Sequence, residues 1–252
     1  MNRTTFNLVN HIHHGNCLDF IQNIPNDYVD TTITSPPYNM NLRISNGKYV
    51  SRQILKEEFS TKYNSFTDNM CIGDFYQFHL QMINQMLRIT KNQIFYNFAI
   101  VTGSKRAFFR ILGEFSRYVK EVFVWNKMRE QPSINQGVIN RRTELIVVFD
   151  KHNGISRMFQ NANFDRGTMS DLINITPDRH PNHGASYPIA LMEHLMLNFT
   201  QPNDIIFDPF MGTGTTAVAA AQLHRRYLGC ELDETYIEYA QSRLSKIQLS
   251  LF

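Results

Sequence analysis

Residues 205–217 read IIFDPFMGTGTTA, an apolar run that enters a glycine-rich turn and then an alanine-rich segment. We predict a buried strand, a tight turn and a helix in that order. Gly212 permits the turn, and Gly214 lets the backbone approach a ligand closely. Thr215 or Thr216 can begin the helix as its N-cap or in its first turn. Since no lysine follows the second glycine, the turn is not a Walker A phosphate loop.

The same turn matches the dinucleotide-binding pattern GxGxx[GA] at Gly212, Gly214 and Ala217. Glu231 ends the next apolar run, at the distance where that pattern places a ribose-binding carboxylate. An adenosine-containing ligand is therefore expected. Only 35 residues follow Ala217, so most strands of the sheet must precede the glycine turn. This permuted order fits poorly with an NAD-dependent oxidoreductase, which stays open as an alternative.

Apolar runs alternate with helical patterns along most of the chain. We predict strands at 6–12, 29–34, 93–98, 122–125, 144–149, 204–208 and 226–231. We predict helices at 17–24, 74–89, 105–118, 187–199, 215–223 and 233–246. The alternation indicates an α/β fold with a mostly parallel sheet. Three polar stretches interrupt this alternation, at 39–70, 127–142 and 150–186. Loops of such length are often functional.

Composition is that of an ordinary globular protein, with 252 residues, 42% hydrophobic and 19% charged. We expect one domain over residues 1–252. The net charge of +3 permits a polyanionic partner without requiring one. There is no run of 18 apolar residues and no signal-peptide pattern. Three scattered cysteines form neither a disulfide framework nor a zinc pattern, so we expect a cytoplasmic protein without a metal.

A second distinctive stretch, TSPPYNM at 34–40, follows the apolar and β-branched run at 29–33. Pro36 and Pro37 lack a backbone N–H and restrict φ, so they forbid both a helix and further strand pairing. The pair predicts a rigid elbow at the end of a strand, with Ser35 before it and Tyr38 after it.

The two stretches together resemble the β-class amino-methyltransferases of DNA. Ser-Pro-Pro-Tyr at 35–38 and Asp-Pro-Phe-Met-Gly-Thr-Gly-Thr-Thr at 208–216 carry the resemblance. Shorter matches flank them, namely His-His-Gly-Asn-Cys-Leu at 13–18, Trp-Asn-Lys at 125–127, Glu-Leu-Ile-Val-Val-Phe at 144–149 and His-Pro at 180–181. The resemblance implies a Rossmann-like methyltransferase fold with helices on both faces of the sheet and a permuted motif order. It also implies methyl transfer from S-adenosylmethionine to an exocyclic amine in a restriction-modification system.

The resemblance assigns roles to residues of both stretches. Ser35 Oγ and the Pro36 carbonyl would accept the two N–H groups of the target amine, held rigid by Pro37, and Tyr38 would stack on the flipped base. The cofactor would be held by Asp208, Phe210, Gly212, Gly214, Thr215, Thr216 and Glu231, aided by Asn16 and His180. Asn16 stands where the family usually has Asp, and its amide can still pair with an adenine edge.

The long loops are expected to face double-stranded DNA, at about 39–70, 127–142 and 150–180. Their candidate phosphate contacts are Arg43, Lys48, Arg52, Lys56, Lys62, Arg141 and Arg142. In the family that the chain resembles, Ser at position 35 is associated with N4 of cytosine and Asp with N6 of adenine, so the resemblance favours cytosine. N6 of adenine stays open because either side-chain oxygen can accept the same N–H. A cognate restriction endonuclease and a homodimer are the other expected partners. A catalytically silent DNA-binding module and methylation of RNA or of protein glutamine remain as alternatives.

Overall fold

The computed structural model describes residues 8–39, 42–45, 48–51, 70–128, 136–152, 156–178 and 187–250. Its strands are β1 (His11–His14), β2 (Thr31–Thr34), β3 (Leu42–Ser45), β4 (Lys48–Ser51), β5 (Gln93–Phe98), β6 (Val119–Asn126), β7 (Thr143–Asp150), β8 (Leu172–Asn174), β9 (Ile205–Asp208) and β10 (Arg226–Glu231). Its helices are α1 (Cys17–Gln22), α2 (Ile72–Ile89), α3 (Lys105–Glu114), α4 (Ile189–Phe199), α5 (Thr215–Gln222) and α6 (Glu234–Ser250). A short 3₁₀ turn spans Ser116–Tyr118.

Eight of these strands form one sheet in the order β1-β10-β9-β2-β5-β7-β6-β8. Every neighbouring pair is parallel except the two that involve β7. The chain proceeds from β9 to β10 in one direction and from β2 to β5 in the other, so the order reverses between β9 and β2. Ligands of open α/β sheets bind at such a switch point, beyond the carboxyl ends of the strands.

The central strands are buried along their whole length because helices cover both faces of the sheet. On one face Phe20, Phe75 and Phe108, from α1, α2 and α3, share a core with alternate residues of β5. On the other face α4, α5 and α6 pack together, with Leu195 and Ala240 among the buried residues. This confirms the predicted fold class and its two covered faces.

The predicted elements are present with changed ends. The helix predicted at 105–118 stops at Glu114, the strand predicted at 122–125 extends over Val119–Asn126, and the first strand is His11–His14. Among the described residues, no helix is both long and apolar enough to traverse a bilayer.

Two of the predicted loops contain strands. The stretch 39–70 includes a separate hairpin in which β3 and β4 pair antiparallel, Ser45 opposite Lys48. A local signal for it exists, because Asn46-Gly47 is the preferred sequence of a two-residue hairpin turn. The stretch 150–186 includes β8, which pairs with β6. Three residues are too few to produce a periodic pattern, so this strand depends on its tertiary partner.

Candidate active site

A cleft of about 260 Å³ opens at the carboxyl edge of the sheet, around the switch point between β9 and β2. The described residues that line it are Gly15, Asn16, Cys17, Leu18, Ser35, Pro37, Met70, Phe78, Tyr187, Asp208, Pro209, Phe210, Met211, Gly212, Thr213, Thr215, Thr216, Glu231 and Leu232. The elbow after β2 and the glycine turn after β9 therefore meet in one cavity, as the sequence predicts.

The glycine turn is shaped by two residues with positive φ. Gly212 has φ of 54° and lines the cleft, and its N–H donates to Glu231 Oε2 at 2.7 Å. Gly214 has φ of 81° and precedes the first residue of α5. A Cβ on Gly214 would lie 2.6 Å from the Cβ of Ala240 in α6, so this glycine allows two helices to approach. It is not among the described lining residues, and its contact with a ligand stays a prediction.

Glu231 holds the turn from the end of β10. Besides the N–H of Gly212, its carboxylate accepts the backbone N–H groups of Leu232 and Asp233, each at 2.9 Å. Burial raises the pKa of the Glu231 carboxyl, and these hydrogen bonds offset part of that rise. A carboxylate has about four acceptor sites, so about one remains for a ligand hydroxyl.

Asp208 forms hydrogen bonds to both parts of the site, the strand before the elbow and the glycine turn. Its buried carboxylate accepts from Thr34 Oγ1 at 2.7 Å, from Thr216 Oγ1 at 2.7 Å and from the N–H of Phe210 at 3.0 Å. Burial raises the pKa of Asp208, and the three donors counteract it by stabilising the ionised form. Asp208 and Thr216 therefore connect β9, α5 and β2 within the wall of the cleft.

The other predicted cofactor residues lie around the same cavity. Asn16 caps α1, its Oδ1 accepting from the N–H of Leu18 at 2.8 Å. Thr215 is buried, and its Oγ1 accepts a hydrogen bond from Nη1 of Arg243 at 3.0 Å. Phe210 is half-buried and packs against Phe78, with ring centroids 5.8 Å apart. His180 lies outside the described residues.

The elbow residues directly follow β2 and continue neither as a strand nor as a helix. Pro36 is buried, whereas Ser35, Pro37 and Tyr38 are half-buried. Ser35 Oγ lies 2.6 Å from the hydroxyl of Tyr38, so the two polar groups of the motif are hydrogen-bonded to each other. Buried Ser104 donates to the Tyr38 carbonyl at 2.9 Å and fixes the exit from the turn.

Three further polar residues form a cluster beside the elbow, and none of them has a role among the expectations from the sequence. Glu144 Oε2 lies 3.1 Å from the Tyr38 hydroxyl, and Glu144 Oε1 forms an ion pair with Lys127 at 2.5 Å. Asn97 donates to both Glu144 and Tyr38. Because β7 is antiparallel to its neighbours, its first residues lie at the carboxyl edge, beside the last residues of β5 and β6. These residues can be placed beside the elbow only when the antiparallel direction of β7 is known.

His79 of α2 lies beneath the elbow and is fully buried. Its Nδ1 is 2.5 Å from the Tyr96 hydroxyl, and its ring contacts Phe75 and Phe98. Burial lowers the pKa of His79 to about 3, while the Pro37 carbonyl acts in the opposite direction. His79 is therefore a neutral part of the core that supports the elbow.

The predicted phosphate contacts are placed in part. Arg141 and Arg142 are exposed on the segment that leads into β7, at the same edge as the cleft. Arg43 lies in β3 and Lys48 in β4. Arg52, Lys56 and Lys62 lie outside the described residues.

Comparisons with known proteins agree with this geometry. The family model described as DNA methylase, of the N6 and N4 class, matches residues 29–242. Two similar relatives are the type II methyltransferase M2.MboI of Moraxella bovis, 25% identical over 94% of this chain and 88% of the relative, and M.HinfI of Haemophilus influenzae, 25% identical over 95% and 69%.

Two solved structures share the fold. The PvuII DNA methyltransferase (cytosine-N4-specific) aligns with a TM-score of 0.67 and 16% identity, covering 94% of this chain and 89% of the other. M1.HpyAVI in its S-adenosylmethionine complex aligns with a TM-score of 0.60 and 21% identity, covering 93% and 98%.

Proposed function

This chain belongs to the N6 and N4 DNA methylases, and from that premise we propose that its target is the N4 amine of cytosine. It is an S-adenosylmethionine-dependent DNA amino-methyltransferase of the restriction-modification type, so the oxidoreductase alternative is excluded. The observation that carries the proposal is that one of the elbow residues lining the same cleft as the turn at Gly212 is a serine, Ser35. A serine at the amine-facing position and the cytosine-N4-specific structural neighbour both favour cytosine.

The residues of the cleft fit S-adenosylmethionine. The backbone turn at Gly212 leaves space for an approaching ligand, and Glu231 retains acceptor capacity for a ribose hydroxyl. Phe210 offers an apolar surface to the cavity, and Asn16, the N-cap of α1, lines the same cavity. When bound, the cofactor supplies an electrophilic methyl group on a sulfonium sulfur.

The elbow supplies the groups that act on the base. The exocyclic amine of a base is a weak nucleophile because its lone pair is delocalised into the ring. Ser35 Oγ and the carbonyl of Pro36 would each accept one N–H of this amine, which favours a pyramidal nitrogen and stabilises its developing charge. Since prolines restrict the elbow, these acceptors need little reorganisation. Tyr38 would stack on the base after it leaves the duplex.

Duplex DNA would lie along the carboxyl edge of the sheet. Exposed Arg141 and Arg142 at this edge support a phosphate contact there, and we extend the proposal to 39–70 and 150–180. We further propose one catalytic domain over residues 1–252, a cognate endonuclease, a homodimer and a cytoplasmic setting. The endonuclease is supported by the type II relatives, and the setting by three free cysteines.

Methyl transfer to the base can be measured directly. The protein is incubated with duplex DNA and methyl-labelled S-adenosylmethionine, and the DNA is digested to nucleosides. We expect labelled N4-methylcytosine, and we expect its formation to slow about 100-fold or more with Ser35→Ala. Label on N6 of adenine would refute the choice of base. Label in parallel reactions with RNA or protein, with none on DNA, would refute the choice of substrate.

A further inference from the structure

We propose that Glu144 sets the direction of the hydrogen bonds at Ser35, so that the Ser35 oxygen meets the target amine as an acceptor. The inference deepens the proposed function and rests on it. It starts from a continuous hydrogen-bonded series at the cleft: Ser35 Oγ is 2.6 Å from the Tyr38 hydroxyl, which is 3.1 Å from Glu144 Oε2. Glu144 therefore acts on the amine through two hydroxyl groups, as a positioning residue.

Glu144 is surrounded by groups that donate to it. Its side chain is 11% exposed and forms the 2.5 Å ion pair with Lys127. Asn97, itself buried, donates its amide N–H to Glu144 Oε2 at 2.5 Å. An ionised carboxylate has no proton to donate and can only accept. Every hydrogen bond at Glu144 therefore points towards it.

This constraint determines which way the Tyr38 proton points. Tyr38 has one hydroxyl proton, and a phenol is more acidic than the aliphatic hydroxyl of Ser35. The phenol therefore donates to Glu144, and its oxygen accepts from Asn97 and Ser35. Ser35 becomes the donor in the Ser35–Tyr38 pair.

The direction of this hydrogen bond decides whether the Ser35 oxygen can accept from the substrate. With its proton engaged at Tyr38, the Ser35 oxygen keeps acceptor capacity for a substrate N–H. In the reverse arrangement, Tyr38 would donate to Ser35, and the Ser35 proton would be directed towards an amine that also presents protons. The nearby Tyr187 hydroxyl donates to the Thr34 carbonyl at 3.3 Å, and its oxygen is also hydrogen-bonded to the Ser35 and Tyr38 side chains.

The first test replaces Glu144 with a side chain of the same shape that can donate. In Glu144→Gln the amide N–H₂ can donate to Tyr38 and allow the series to reverse. We expect kcat to fall about 100-fold, the scale of losing one group that stabilises a transition state, with KM for DNA and cofactor unchanged. The matched control is Asp150→Asn at the other end of β7, a buried carboxylate that accepts from Gln93 at 3.0 Å. It should leave kcat unchanged.

A second variant separates direction from structure. Ser35→Asp places an acceptor at the amine whatever the direction of the series, so adding Glu144→Gln to it should cost less than threefold. A penalty of about 100-fold in both backgrounds overturns the proposal, as does an effect on KM alone. A wild-type protein that methylates no DNA instead refutes the proposed function.

A spectroscopic readout is independent of turnover. With tyrosine labelled at ¹³Cζ, the Tyr38 signal is identified by its loss in Tyr38→Phe. It should shift in Glu144→Gln, since the phenol changes from donor towards a carboxylate to acceptor from an amide, and it should stay in place in Asp150→Asn. An unchanged Tyr38 signal in Glu144→Gln overturns the proposal even if every variant is inactive.

Discussion

The hydrogen bond between Thr34 and Asp208 joins the two halves of the site across 174 positions of sequence. We predict that Thr34→Val, which exchanges the hydroxyl for a methyl of similar size, lowers the free energy of unfolding by about 2 kcal/mol. A hydrogen bond to a charged group contributes about 1.5–3 kcal/mol, and Asp208 keeps its two other donors, Thr216 and Phe210. For a chain of this size, that corresponds to a fall in Tm of about 4–8 °C.

Thr31, on the same strand, provides the matched control. Its side chain is also fully buried, and its hydroxyl has no hydrogen-bond partner among the residues that the structure describes. Thr31→Val removes a desolvated, unsatisfied hydroxyl and retains a β-branched side chain, so stability should stay constant or rise. The two substitutions have identical chemistry and differ only in the partner that is lost.

Urea unfolding at neutral pH measures both variants, and a methyl-transfer assay at a temperature where both are folded measures the consequence for the elbow. We expect transfer to slow in Thr34→Val because Ser35 directly follows the lost contact, and to be unaffected in Thr31→Val. Equal unfolding midpoints for the two variants would refute the conclusion that Asp208 braces β2 against β9.

Three other predictions concern the core, the glycine turn and the DNA-facing edge. Lowering the pH from 7 to 5.5 should lower the free energy of unfolding by about 1 kcal/mol through His79. Its pKa in the folded protein is about 3 and in the unfolded chain 6.5, so only the unfolded chain gains the proton in this range. In urea unfolding, His79→Phe should reduce this dependence of stability on pH. Gly214→Ala should lower Tm more than Gly137→Ala, since both have positive φ but only the former meets a neighbouring helix; equal losses would contradict the packing role. Arg142→Ala should lower the salt slope of DNA binding by about 1, whereas Arg226→Ala, at the amino edge of the sheet, should not.

Local sequence patterns in this chain were sufficient to predict the fold class and the two segments that form the site, the elbow and the glycine turn. The apolar run, the two glycines and the alanine-rich segment at 205–217 act through near neighbours, and so do the prolines that stop β2. The elbow and the turn are far apart in sequence, and because each follows a strand of the same sheet, the pattern predicts that they lie close together in space. The hairpin of β3 and β4 has an equally local signal in the sequence Asn46-Gly47.

The roles of individual polar groups depended on partners that local patterns do not specify. Gly214 suggested a ligand by its pattern, while its close neighbour is Ala240 of α6. Glu144 belongs to a segment that matches the family at 144–149 but carries no role there, and the antiparallel direction of β7 brings it to the Tyr38 hydroxyl. Residue type and spacing thus determined which elements form and which chemistry they can support. Tertiary structure decided which donor meets which acceptor, because hydrogen bonds act over about 3 Å while their partners here lie up to 174 positions apart.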